Sequence, residues 1–156
     1  MDLVFKRKGY QPASEFWGDL SIQEFHNTFG VSSTFIINLK LINPSKNEEN
    51  IYSFTFDSGA FISYAPDFIL EDFEIGYSFE GFVRSAMPKD ECKIKVRMAK
   101  LSFKILDDND QESNEITAWF AFHPFDRGPF LLGMKDVIEK IGFIKKLDEG
   151  VLILQI

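Results

Sequence analysis

Along much of this chain apolar residues recur at every second position, the period of a strand that buries one face and wets the other. Residues 35–41 and 51–56 show it, and the polar stretch Asn43-Pro44-Ser45-Lys46-Asn47-Glu48-Glu49-Asn50 between them reads as the turn of a hairpin. Residues 61–64 begin another strand, and residues 75–84 and 116–122 are further apolar, aromatic-rich runs. In Lys93-Ile94-Lys95-Val96-Arg97-Met98-Ala99-Lys100-Leu101-Ser102-Phe103-Lys104-Ile105 charged and apolar residues alternate almost strictly, which predicts one long amphipathic strand with a single solvated face. The chain ends on a strongly apolar strand, residues 151–156. Helical spacing is confined to a few places: residues 64–73 hold enough for one turn, and Val137, Ile138 and Ile141 share a helical face, with Gly142 where a stop belongs. The pattern predicts an all-β domain over residues 34–156 with a short C-terminal helix. Residues 1–33 carry Tyr10, Phe16, Trp17, Phe25 and Phe29 without a period, too aromatic for a disordered tail, and are expected to pack on that domain as an N-terminal extension.

One residue interrupts the second strand's pattern. In Phe54-Thr55-Phe56-Asp57-Ser58-Gly59-Ala60-Phe61-Ile62-Ser63-Tyr64 a single acidic residue stands between two apolar runs. Burying a carboxylate without partners costs several kcal/mol or shifts its pKa, so roughly that energy demands a reason for Asp57. Ser58 and Gly59 supply a tight turn, Gly59 allowing positive φ or the close approach of another backbone. A carboxylate is thereby held on a short loop, backed by a sheet and open at one edge.

Thr55-Phe56-Asp57-Ser58-Gly59-Ala60 resembles the hydrophobic-hydrophobic-Asp-Ser/Thr-Gly-Ala motif of aspartic peptidases. A second motif stands later in the chain. Pro129-Phe130-Leu131-Leu132-Gly133-Met134-Lys135-Asp136-Val137-Ile138 resembles the hydrophobic-hydrophobic-Gly strand and following helix of the retropepsin-like (retroviral-type) family. Two motifs in the right order are more specific than either alone. The resemblance implies an acid-protease-like closed barrel of one lobe, in which Asp57 is catalytic, Ser58, Gly59 and Ala60 support its loop, and Leu131, Leu132 and Gly133 pass beside it. It also implies a covering hairpin, the flap, about where Phe79, Gly81 and Phe82 stand. The family's flaps carry several glycines, whereas Gly81 is nearly alone here; the plain alternative is a turn between ordinary strands.

Composition narrows the function classes. A chain of 156 residues, 45% hydrophobic, can bury one core but not comfortably two. Its 24 acidic against 17 basic residues give a net charge of −7, which argues against a nucleic-acid partner and makes the basic residues of 93–104 a solvated face. The lone cysteine, Cys92, has no histidine beside it and fits an inert thiol in a reducing, cytoplasmic setting. No apolar stretch approaches the roughly 20 residues that span a membrane. His26 and His123 have no ligand-spaced neighbours, so no metal or other cofactor is expected. Asp107-Asp108-Asn109-Asp110-Gln111-Glu112 imitates a calcium loop but places Glu112 where glycine belongs and Ala118 where glutamate belongs, which leaves a solvated hairpin loop.

Peptide hydrolysis by carboxylates needs two of them sharing one proton and a water, because like charges about 3 Å apart cannot both ionise. This chain has one Asp-Ser-Gly; Asp126-Arg127-Gly128 and Asp148-Glu149-Gly150 have the wrong middle residue. The second carboxylate must come from a second copy, so the expected enzyme is a homodimeric aspartic endopeptidase acting on extended polypeptides, with Ser58 bonding across the twofold axis. The C-terminal strand either completes the barrel within one chain or forms an inter-subunit sheet. Two other readings remain: a catalytically silent binding or scaffolding module of the same fold, and a β-barrel ligand binder with a chance motif.

Overall fold

The computed structural model describes residues 1–7, 35–42, 49–84 and 93–156. Among these, ten strands carry the fold: β1 (Asp2–Lys6), β2 (Ile36–Ile42), β3 (Glu49–Phe56), β4 (Ser63–Pro66), β5 (Phe79–Arg84), β6 (Lys93–Leu106), β7 (Ile116–His123), β8 (Leu131–Leu132), β9 (Gly142–Lys146) and β10 (Val151–Gln155). One helical turn, α1 (Phe68–Asp72), follows β4. Seven strands form a sheet in the order β2-β3-β8-β4-β7-β6-β5, and β2 also pairs with β6 over Asn38–Leu41. The sheet therefore rolls back on itself, with β5 outside the roll. The other three strands form a second sheet, β1-β10-β9.

The alternation read from the sequence places the core. Ile37, Leu39 and Leu41 of β2 are fully buried, as are Phe54 of β3, Leu101, Phe103 and Ile105 of β6, and Phe120 of β7. Their rings interlock at right angles: Phe54 against Phe120 at 5.9 Å and Phe103 against Phe120 at 5.8 Å. Such edge-to-face pairs add roughly 0.5–1.5 kcal/mol each beyond the area they bury.

Four expectations change. β6 does not keep a single buried face: burial falls on Val96 and then on Ala99, Leu101, Phe103 and Ile105, so the inward side switches between Met98 and Ala99. The pairing with β7 runs unbroken from Arg97 to Phe103, so the switch is a change of surroundings along one continuous strand. The C-terminal helix is only a 3-10 turn, Ile138–Lys140. Asp136 takes φ +62, which breaks helical geometry just before it, and Gly142 opens β9 instead of ending a helix. Asp107 is not a solvated loop residue. It is 4% exposed; its Oδ1 accepts the N–H groups of Asn109 and Gln111, and its Oδ2 that of Val4. Finally, within the stretch read as an N-terminal extension, Asp2–Lys6 pairs antiparallel with the C-terminal strand of the same chain, Leu3 facing Leu154 and Phe5 facing Leu152, all four buried. Residues 8–34, with the aromatics that were expected to pack on the domain, lie outside the described residues.

Candidate active site

Asp57 follows β3 directly, and the chain's second motif holds it there. β8 runs parallel to the end of β3, Thr55 beside Leu131 and Phe56 beside Leu132. The Asp57 N–H continues this ladder to the Leu132 carbonyl at 3.0 Å. The loop then closes on itself: Gly59 N–H donates to Asp57 Oδ1 at 3.0 Å and Ala60 N–H to the Asp57 carbonyl at 3.2 Å. An aspartate that caps the turn two residues ahead in this way fixes its own carboxylate orientation. Asp57 is half-buried, while Ser58 and Gly59 are exposed.

The return side of the loop is bonded to the same segment. Gly133 N–H donates to Ser63 Oγ at 2.9 Å, Met134 N–H to the Ala60 carbonyl at 2.9 Å and Lys135 N–H to the Phe61 carbonyl at 2.8 Å. Gly133 is required by space: a Cβ there would stand 2.5 Å from the Ile62 carbonyl oxygen and 2.9 Å from that of Ala60. These are backbone atoms already committed to the loop. Leu132 is fully buried, and Leu131 half-buried. Asp57, Gly59, Ala60, Leu131, Leu132 and Gly133, drawn from two motifs about 70 residues apart, thus form one structure. Ser63, fully buried beneath the loop, belongs to it too. Nothing in the linear pattern singles out that serine, because its hydroxyl finds its partner 70 positions away.

A cleft of about 460 Å³ opens beside the loop, lined by Gly59, Ala60, Phe61, Ile62, Tyr64, Val83, Ile94 and Leu131. That volume lies within the range of small-ligand and side-chain pockets. One wall is the Asp57 loop. The other is the β5–β6 hairpin, where Val83 and Ile94 are directly paired. Residues 85–92, Cys92 among them, lie outside the described residues. The candidate flap residues are placed differently from the expectation. Gly81 makes no turn; it sits inside β5 opposite Val96, and a Cβ there would meet only ordinary contacts. Phe79 packs on Trp119 at 5.7 Å and Phe82 is 67% exposed, and neither they nor Gly81 line the cleft. The signal for the hairpin was the slip of phase in β6, since Ile94 and Val96 are apolar at even positions and Leu101 and Phe103 at odd ones.

Above Leu131 the loop of residues 124–130 is anchored by His123, which is fully buried. His123 Nδ1 accepts the Phe125 N–H at 3.2 Å, so Nε2 carries the hydrogen and donates to the Pro129 carbonyl at 2.9 Å. Its ring lies 4.4 Å from that of Tyr64, and burial pushes the Tyr64 phenol pKa up. No group of three or more His, Cys, Asp or Glu side chains suited to a metal occurs among the described residues. Among them, too, no helix is long and apolar enough to cross a membrane.

A rolled β-sheet in which an Asp-Ser-Gly-Ala loop is cradled by a parallel Leu-Leu-Gly strand defines a class, the retropepsin-like aspartic protease fold. The crystal structure of a retropepsin-like aspartic protease from Rickettsia conorii is similar over 99% of this chain and 89% of that one, with a TM-score of 0.53 and 17% sequence identity. At that identity the likeness is one of fold. Comparison with protein-family models and with curated proteins gives no match.

Proposed function

We propose that this chain is an aspartic endopeptidase that works as a homodimer, the Asp57 carboxylates of two copies sharing a proton and activating one water. The observation that carries the reading is the position of Asp57: on a loop bonded to the Leu131–Gly133 segment, whose following residues, Gly59 to Ile62, line an apolar cleft with a hairpin as its opposite wall. One carboxylate takes the water's proton as the oxygen attacks the scissile carbonyl. The other, protonated at the start, donates to the carbonyl oxygen; as the resulting gem-diol collapses, the first carboxyl gives the proton it took from water to the departing nitrogen and the second takes one back from a gem-diol hydroxyl. An extended polypeptide would lie between loop and hairpin, its apolar side chains entering the cleft beside Phe61, Ile62 and Leu131. In this reading the β5–β6 hairpin is the flap, with Val83 and Ile94, not Phe79 or Phe82, facing substrate.

The reading is tested with peptide and denatured-protein substrates across the weakly acidic range, with and without a statine-type transition-state mimic, which binds a carboxylate dyad far better than substrates do. Cleavage that the mimic blocks is expected, falling on the order of 10³-fold or more in Asp57→Asn protein of unchanged fold, by the usual weight of general acid–base catalysis. Activity that survives Asp57→Asn would refute it. Peptide binding without cleavage in the parent protein would favour the silent binding module instead.

A further inference from the structure

The β5–β6 hairpin has two faces, and only one of them borders the apolar cleft. Directly paired residues of antiparallel strands share a face, and successive pairs alternate between faces. Val83 and Ile94, which line the cleft, are one such pair; Glu80 and Arg97, three positions along, are a pair on the opposite face, and Lys95 shares it. A second cavity, of about 280 Å³, opens there. Glu80, Lys95 and Arg97 line it from the hairpin, and Asp67, Phe122 and Pro124 from the body of the domain.

Its position is at the hairpin's root. β6 pairs with β7 only from Arg97 onward, so among the described residues Lys93 to Val96 have β5 alone beside them. Asp67, between β4 and α1, is fixed to the end of β7 by its N–H, which donates to the His123 carbonyl at 2.8 Å. The cavity therefore lies where the projecting hairpin meets the fixed part of the sheet.

Its charges are unequally matched. Glu80 and Lys95 satisfy each other, Oε2 to Nζ at 2.8 Å. The Arg97 guanidinium lies 5.2 Å from the centre of the Tyr77 ring, a contact that draws on its charge and leaves its N–H donors unspent. Among the described residues Arg97 makes no ion pair, and the Asp67 carboxylate neither caps α1 nor meets a cation. Both residues are half-buried. A guanidinium and a carboxylate that line one cavity without pairing are complementary to a molecule carrying a carboxylate and an ammonium together. Arginine grips a carboxylate with two parallel N–H bonds, and aspartate accepts from an ammonium. The cavity's volume is near the lower end of small-molecule sites, roughly 300 Å³, which suits one residue and not a polypeptide.

We propose that this cavity binds a free α-amino acid, its carboxylate on Arg97 and its ammonium on Asp67. The bound zwitterion bridges the hairpin to the β4–α1 junction, and so fixes the root of the wall that Val83 and Ile94 present to the cleft on the other face. Neither a catalytic role for Asp57 nor a second copy of the chain is needed for this.

Calorimetric titration with glycine, the smallest bearer of both charges, and with L-leucine should show a single saturable site. L-leucinamide, which lacks the carboxylate, and isocaproate, which lacks the ammonium, should each bind at least about 10-fold more weakly than L-leucine, as the loss of one charge-assisted contact implies. Arg97→Gln and Asp67→Asn should each weaken L-leucine binding by a similar factor. In Arg97→Gln the advantage of L-leucine over leucinamide should vanish, since the variant has already lost the group that reads the carboxylate. Should one variant fail to fold, the other decides, because each removes one half of the site. Hydrogen exchange of residues 79–84 and 93–97 should slow when L-leucine is bound. No saturation by either amino acid overturns the proposal. So does isocaproate binding as tightly as L-leucine, which would make the cavity a carboxylate site on Arg97 alone, and so does binding that Asp67→Asn and Arg97→Gln leave unchanged. None of these readouts measures peptide cleavage, so an inactive Asp57 would leave them untouched.

Discussion

A methyl group at Gly133 would press on two carbonyl oxygens that belong to the Asp57 loop, and neither can retreat without breaking its bond to Met134 or distorting the turn. Gly133→Ala is therefore expected to cost about 2–3 kcal/mol, the upper range for overpacking, read from urea midpoints. The opposite sign is expected at Tyr64. Its hydroxyl is buried without a hydrogen-bond partner among the described residues. An unmet buried donor costs roughly 1–3 kcal/mol, so Tyr64→Phe should leave stability unchanged or raise it by up to about 1 kcal/mol in the same assay. Asp136 adds a pH dependence. The Trp119 N–H, followed by Lys140 and Lys135, holds its carboxyl below the usual carboxylate range. A depressed folded pKa stabilises fully above the unfolded value and is lost as pH falls through the folded one. Stability should thus decline below about pH 4, the ordinary carboxylate value, and Asp136→Asn should flatten that decline in urea titrations at successive pH. Glu139 and Glu112, lowered by the Asp136 N–H and by Lys40 respectively, act in the same direction.

Among the elements, the β6–β7 hairpin does more than reverse the chain. Asp107 gathers three backbone donors, two within its own loop and one from β1, and so ties the N-terminal strand to the rolled sheet. Asp107→Ala is expected to lose about 2–4 kcal/mol, several charge-assisted bonds that do not add fully, with faster hydrogen exchange confined to β1 and the loop. The acidic run that imitates a calcium loop in sequence is thus a backbone-binding device. β6 itself serves two surroundings. Its second half faces the core through Leu101, Phe103 and Ile105, while its first half turns Ile94 to the cleft beside Val83. Strand period alone cannot assign such a residue, because exposure to a groove and burial in a core select the same apolar side chains.

At the scale of the molecule, the two sheets have separate work. The rolled sheet carries the loop and the cleft; the three-stranded sheet closes the chain's ends together, Met1 and Ile156 bonding to each other, and sets Phe143 of β9 against Phe56. If the site is shared between copies, specific activity must fall on dilution. Peptidase activity should vary with the square of chain concentration below the dimer dissociation constant and linearly above it, a crossover that progress curves over a dilution series would display.

Local chemistry alone settled the strands of the core and the tight turn after Asp57, because alternation and turn formation are properties of neighbouring residues. What depended on the folded chain was which distant groups meet. Ser63 beneath Gly133, Asp107 against Val4, and β10 against β1 all join residues dozens of positions apart. In each, an ordinary side chain or backbone group acquires its role only from the partner that long-range packing sets beside it.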